Sequence, residues 1–502
     1  MTKMIKRLCA LVWVGSLTAL PLRAMDIFQA NEHFQVGQYE QALNDYQQLA
    51  ELGNAQAFYQ LGLMHYQGLG TEADRFKALM WFSLAAEQQF SDAQQVSADI
   101  LALATEEQGP AIEQVLTDIK ARYGMAVVQQ KYFPTLKSVP DGYKIEFVDP
   151  DGSAASVDFH DKYDINISEA LVTTGLSQES ASIDYLLLGR PNAVTAQDRN
   201  YFAVVDYEIG RDGSVRNPQP LQVNGYIKPA LSLLITKRFA QPKFDDQAVS
   251  FFQRSYLGMS GYNRAFIRTE QFERFYNGLN RRVKKLKSSS TIDDQYQYAV
   301  ALMTFPWLTA DKHELQGVLA RLSTAGHPLA QYELGSLLYR EQQDISAAVH
   351  WLNEASKAGV TKARYRLGRL LLDSPYVERD EHKALFWFEQ AAADTYTPAL
   401  LGAAEITLLA TEPSLQNAEQ ARDFLAQVPE NEQRNPDYEF LQAMRFYSQP
   451  SRDLAKAVDH LRDAISLANT FNWDVTDWEK RLSAWTSNGK VLVTDVDKPA
   501  ND

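Results

Sequence analysis

From Tyr39 onward apolar side chains return at Ala42, Tyr46 and Leu49, the three-to-four-residue period of a helix with one buried face. Gly53-Asn54 interrupts it, a second helix is predicted over residues 57–66, and Gly68 and Gly70 interrupt again. Lys77, Ala78, Trp81, Phe82, Ala85 and Ala86 open the next helix. The same local pattern, Ala-x-Tyr-x-Leu-Gly, stands at Ala57 to Gly62, Ala330 to Gly335 and Ala363 to Gly368, each followed by a second helical stretch. Small residues at these offsets allow two helices to approach closely. Units this short cannot bury an apolar face alone, so they are expected to stack into a solenoid.

The rear set is the more regular. Gly335 to Gly368 and Trp351 to Trp387 are spaced by nearly equal steps, Ala399 and Ala404 repeat Ala363 and Gly368, and Ala325-Gly326 and Ala358-Gly359 stop one helix before the next begins. Ala93 and Ala98 form a weaker copy at the end of the front set. Beyond Pro413 the signature fades, although Leu454, Ala457, Leu461 and Ala464 keep a helical period, and residues 488–502 form a polar tail.

Between the two sets the period drops to two. Val205, Tyr207 and Ile209 alternate with Asp206 and Glu208, Gly210-Arg211-Asp212-Gly213 supplies a turn, and an extended pattern resumes at Val215, which predicts a hairpin. A helix over residues 226–238 and an aromatic-rich strand over 248–257 follow. A second hairpin around Asp149-Pro150-Asp151-Gly152 and a strand over 181–188 hint at an internal duplication. The expected architecture is multidomain: α/α solenoid repeats over 25–130 and 291–487 flanking a small α+β domain over 131–290.

The amino terminus changes where this protein is expected to work. Lys3, Lys6 and Arg7 precede an apolar run from Leu8 to Leu20 and the small-residue end Pro21-Leu22-Arg23-Ala24, the three parts of a secretory signal over 1–24 with cleavage after Ala24. The run is short for a spanning helix, and an uncleaved inner-membrane anchor is the alternative. Cys9, the only cysteine, lies in this segment, so neither disulfides nor thiolate metal sites are expected in the exported chain.

The formal net charge is −14, yet residues 131–290 carry 21 Lys and Arg against 18 Asp and Glu. The acidity therefore belongs to the helical flanks, which argues against a nucleic-acid partner. One basic run, Arg281 to Lys287, reads as a solvated helix end or as a patch for anionic lipid or an acidic partner.

The Ala-x-Tyr-x-Leu-Gly units, with the following Ala-x-x-Trp-Phe helix and the Gly68-x-Gly70 loop, resemble Sel-one-like repeats, relatives of the tetratricopeptide class. That resemblance implies a protein–protein scaffold without catalytic residues. Residues 200–260 resemble the carboxy-terminal domain of TonB through Asp206-Tyr207-Glu208-Ile209, Arg211 to Val215, Arg238-Phe239-x-x-Pro242-Lys243-Phe244 and the strand that ends the domain. It implies capture of an extended peptide by addition to a sheet edge, with Val249, Phe251, Gln253 and Ser255 as edge candidates. Tyr59, Tyr332 and Tyr365 are the candidates on the concave faces of the repeats. The chain departs from TonB in having no histidine in its amino-terminal apolar run and no long proline-rich spacer.

Catalytic signatures are sparse. Phosphate-binding, zinc-protease and hydrolase motifs are absent from the sequence. His160 within Asp158-Phe159-His160-Asp161 is the one general-base candidate of the central region, read more simply as a polar strand-end residue, and Asp149-x-Asp151-Gly152 starts like a calcium loop without its later ligands. The reading is a periplasmic adaptor with no catalytic residues, metal or cofactor. Its partners are envelope proteins or extended peptide segments, with inner- or outer-membrane protein contact as an extension. An energy transducer for outer-membrane transport is the second reading, and an enzyme with its site in the central domain the third.

Overall fold

The computed structural model describes residues 26–139, 142–149, 201–311, 313–448 and 452–487. The expected signal, the polar tail, the duplicated strand at 181–188, His160 and most of the calcium-like turn lie outside them.

The front array runs through α1 (Ile27–Gln35), α2 (Tyr39–Glu51), α3 (Ala55–Gln67), α4 (Arg75–Glu87), α5 (Ala93–Leu101), α6 (Gly109–Tyr123) and α7 (Met125–Tyr132). Its boundaries are written in capping side chains. Asn54 accepts from Ala57 N at 2.8 Å to start α3, and Asp74 accepts from Phe76 N and Lys77 N to start α4. Gly68 ends α3 at φ +76°, a left-handed turn that favours glycine. The motif glycine explains the close pairing of α3 and α4: a Cβ on Gly62 would sit 2.8 Å from the Phe82 ring.

The sheet region follows, with β1 (Glu146–Val148), β2 (Phe202–Ile209), β3 (Val215–Asn224), α8 (Lys228–Ile235), β4 (Gln241–Phe244), β5 (Gln247–Ala248) and β6 (Phe251–Gly258). Strands β3, β2 and β6 form one antiparallel sheet in that order, and β1, β4 and β5 form another. Gly213, at φ +83°, makes the β2–β3 turn and gives its carbonyl to the Phe239 N–H at 2.8 Å. Two boundaries differ from the sequence expectation. The helix is shorter than 226–238: Pro229 sits in its first turn, and Thr236 caps its end. The last strand starts at Phe251, since Gln247–Ala248 is drawn onto β4 and Val249 N donates to Pro242 O.

The rear array comprises α9 (Glu273–Ser288), α10 (Ile292–Thr304), α11 (Glu314–Thr324), α12 (Pro328–Arg340), α13 (Ile345–Lys357), α14 (Thr361–Asp373), α15 (Glu381–Ala392), α16 (Thr397–Leu409), α17 (Ala418–Ala426), α18 (Pro436–Ser448), α19 (Leu454–Thr470) and α20 (Thr476–Ser487). Asp344 and Asp380 cap α13 and α15 as Asp74 caps α4, so the cap recurs with the repeat. A Cβ on Gly368 would lie 2.5 Å from the Phe388 ring, the counterpart of Gly62 and Phe82.

The arrays meet. Ile27 N donates to Ala358 O at 2.9 Å, Trp387 Nε1 to Tyr132 O at 2.6 Å and Lys383 Nζ to Phe133 O at 3.0 Å, while Leu136 and Val377 form an isolated β-bridge. The largest apolar core joins the sheet to the rear array and takes in Leu52, Val128 and Phe133 at the seam. The front array keeps cores of its own around Tyr46, Phe58 and Leu61 and around Phe82.

Candidate functional site

The period of two in β2 places Asp206 and Glu208 on one face and Val205, Tyr207 and Ile209 on the other. The apolar face shares a core with Ala230 and Leu234 of α8, and Tyr207 stacks on Phe239. The acidic face is turned to the rear solenoid, where α12 and α14 present the complementary charges.

Register creates the first half of the contact. Asp206 pairs across the sheet with Arg254, whose Nε and Nη2 lie 2.5 and 3.0 Å from the two Asp206 carboxylate oxygens. Arg254 Nη2 is also 2.9 Å from Glu333 of α12, and the Tyr332 hydroxyl donates to Asp206 at 3.5 Å. In the second half, Glu208 accepts from the Tyr365 hydroxyl at 2.9 Å, from Arg366 Nη1 at 3.3 Å and from Asn217 Nδ2 at 3.2 Å, with Arg369 Nε 3.6 Å away. The Arg366 guanidinium covers the Phe252 ring at 3.5 Å.

Burial alone would push the Asp206 carboxyl up; Arg254 beside it, with Arg340 and Arg366 behind, more than reverses this and holds it below the usual range. Burial likewise opposes the charged form of Glu208, and Arg369, Arg366 and the Tyr365 and Asn217 donors overcome it. The Tyr332 and Tyr365 hydroxyls are pushed up by burial and by the carboxylates they face. At neutral pH the carboxylates are charged and the phenols protonated. The network is built to seat the sheet, not to move protons.

The far end of the hairpin is clasped as well. Trp473, between α19 and α20, donates Nε1 to Val215 O at 3.2 Å and lies 3.9 Å under the Arg216 guanidinium. Asp474 N donates to Asp212 at 2.8 Å. The rear helices thus use α12, α14 and the α19–α20 turn on a segment of their own chain.

This placement corrects the expected roles of several residues. Tyr332 and Tyr365 do not line a free concave surface; they are buried against β2. Val249, Phe251, Gln253 and Ser255 do not offer an open edge, since each is at most 9% exposed. Phe251 is wedged between Phe147 and Tyr339, and Ser255 Oγ meets the Tyr207 hydroxyl at 3.0 Å. Tyr59 is half-buried, donating to Asp92 at 2.7 Å with its ring against Phe82 and Phe90. The more accessible edge is the outer half of β3, where Val223 is 47% exposed. Pro218 and Pro220 lack N–H donors, which leaves the stretch after Pro220 as its pairing-competent part.

Sequence reasoning missed Arg254, Glu333, Arg366 and Arg369. A signal was present: Lys362, Arg366, Arg369 and Asp373 recur at i, i+4, i+7 and i+11, which is one helix face made of charges. Two cavities border the network, of about 20 and 10 Å³, room for about one water each. Among the described residues no group of three or more His, Cys, Asp or Glu could hold a metal ion, and no helix is long and apolar enough to cross a membrane.

The Sel1 repeat family model matches residues 55–90, 328–360 and 361–396. These are the α3–α4, α12–α13 and α14–α15 hairpins. No curated protein matches the sequence. Solved structures similar to the chain include a protective antigen of uropathogenic Escherichia coli displaying an SLR fold, 14% identical, covering 94% of this chain and 89% of that one, with a TM-score of 0.31. A Sel1 repeat protein from Oxalobacter formigenes is also 14% identical, covering 43% of this chain and 98% of that one, with a TM-score of 0.31. Three helical hairpins of the chain thus match the Sel1 repeat, a match that indicates a scaffold for protein–protein interaction, and no catalytic family is indicated.

Proposed function

We propose that the protein is an exported scaffold of the bacterial periplasm that holds envelope proteins on its helical repeats and takes an extended segment of a partner at its central sheet. The observation that carries the scaffold role is the set of three repeat matches on stacked helical hairpins. Export is supported by the basic, apolar and small-residue order of residues 1–24. The TonB-like reading is supported by the order hairpin, helix, strand, with β6 returning beside β2.

Because the rear groove is filled by the sheet, partners are assigned to the front array and to the outer half of β3. Addition of an extended peptide there needs backbone donors and acceptors facing away from β2, which the stretch from Leu221 to Asn224 supplies. Cross-linking in intact cells with a photoreactive residue at position 223 tests this. Reproducible capture of an envelope protein is the expected result, and capture of nothing above the level of a buried control position defeats the proposal. Sequencing of the mature amino terminus tests export separately: a chain beginning at Met25 is expected, and one beginning at Met1 refutes cleavage.

A further inference from the structure

Helix α9 stands apart from the rest of the molecule in charge. Its apolar stripe, Phe275, Tyr276, Leu279, Val283 and Leu286, is packed on the protein, the first three against the cluster around Phe305 and Trp307. At 100° per residue, Arg274, Arg281 and Lys285 fall within about 40° of one line on the side opposite that stripe, with Arg282 and Lys284 flanking it. All five are exposed. Among the described residues none of the five forms an ion pair, whereas Lys287 is bound to Glu314. A favourable helix dipole accounts for cations in the last turn only; Arg274 sits in the first turn, where the dipole opposes it.

We infer that this face docks the protein on an anionic phospholipid surface. The chemistry favours lipid over an acidic protein partner. A protein interface draws its strength from buried aromatic or apolar anchors in pockets, and α9 has its apolar side already used internally, leaving a row of exposed cations that, among the described residues, form no ion pair. A row of like charges matches a plane of many headgroups, which needs no fixed register. Phe266, 44% exposed in the short turn Phe266–Arg268 ahead of α9, adds an apolar side chain next to Arg264 and Arg268. The whole chain has a formal net charge of −14, so the molecule outside this basic face is net acidic, and the attraction is also an orientation.

The test, which rests on the proposed cleavage, is sedimentation of the mature chain, residues 25–502, with vesicles of phosphatidylcholine alone and of equal parts phosphatidylcholine and phosphatidylglycerol. The wild type is compared with the double variant Arg281→Glu, Lys285→Glu, whose folding is checked by circular dichroism. Binding to the anionic vesicles should exceed binding to neutral ones at least about tenfold, vanish near 0.5 M salt and fall about tenfold in the folded variant. Equal binding to both vesicles, or equal binding by wild type and variant, overturns the inference. So does binding to soluble polyglutamate with none to vesicles, which would point to an acidic polypeptide instead. If the double variant does not fold, Lys284→Gln with Lys285→Gln takes its place, and an unchanged affinity for anionic vesicles is again the overturning result.

Discussion

The same six-residue pattern serves opposite ends in the two arrays. In the front array Tyr59 reaches sideways to Asp92 in the next unit and stays partly in contact with water, so its hydroxyl stitches repeat to repeat. In the rear array Tyr332 and Tyr365, at the same offset, point into the sheet and donate to Asp206 and Glu208. Motif position fixes the direction of the side chain; whatever occupies the groove fixes its role. Conversely the motif glycine does one job in both, since Gly62 faces Phe82 as Gly368 faces Phe388.

The sharpest way to break this comparison is to leave the buried charges of the rear groove unpaired. Arg254→Ala strands Asp206 and Glu333 away from water and should cost about 3–5 kcal/mol in urea unfolding. Gly368→Ala should cost about 1–3 kcal/mol by driving a methyl into the Phe388 ring, and Gly62→Ala a similar amount against Phe82. Equal losses at the two glycines would sharpen the claim that helix pairing is common to both arrays.

Acid should loosen the rear groove first. Asp206 and Glu208 are both held below the ordinary carboxylate range, so the unfolded chain takes up protons before the folded one as pH falls. Their stabilisation is complete above about pH 4–5, the unfolded range, and is lost progressively below it. Asp437, half-buried near Arg216, is pushed up by burial and acts in the opposite sense, costing stability as pH rises through about 4 and beyond. Fluorescence of Trp473, isolated by replacing the other tryptophans, should report release of the hairpin on acidification; a transition indifferent to Asp206→Asn would contradict the assignment.

The smaller effects separate the tyrosines. Tyr365→Phe removes a buried donor from Glu208 and should cost roughly 1–3 kcal/mol, while Tyr59→Phe, losing a hydroxyl in partial contact with water, should cost about 0.5–1 kcal/mol. A reversal of that order in denaturant melts would remove the distinction between the arrays.

Much of this was readable from spacing alone. Helical period, glycine stops and the recurrence of Ala-x-Tyr-x-Leu-Gly place α3, α12 and α14, and alternation with an Asp-Gly turn places β2 and β3. The seating of the sheet was not readable, because alternation says only that Asp206 and Glu208 share a face. A polar face meets water or a complementary charged face, and only long-range geometry decides between them. The edge assignment failed for the same reason: Val249 through Ser255 look like an available strand until Tyr339 and Phe147 are brought against Phe251. The charged stripe from Lys362 to Asp373 is the sequence feature that, weighed against a solvated face, pointed to the groove.

The seam between the arrays sets an order of events during synthesis. Tyr132 and Trp387, joined by one hydrogen bond, are 255 residues apart, and Ile27 waits even longer for Ala358. The first helices therefore leave the ribosome with an unfinished flank, and no proteolytic fragment ending before the fifteenth helix can close it. Nascent front repeats are the stage at which a chaperone has something to hold.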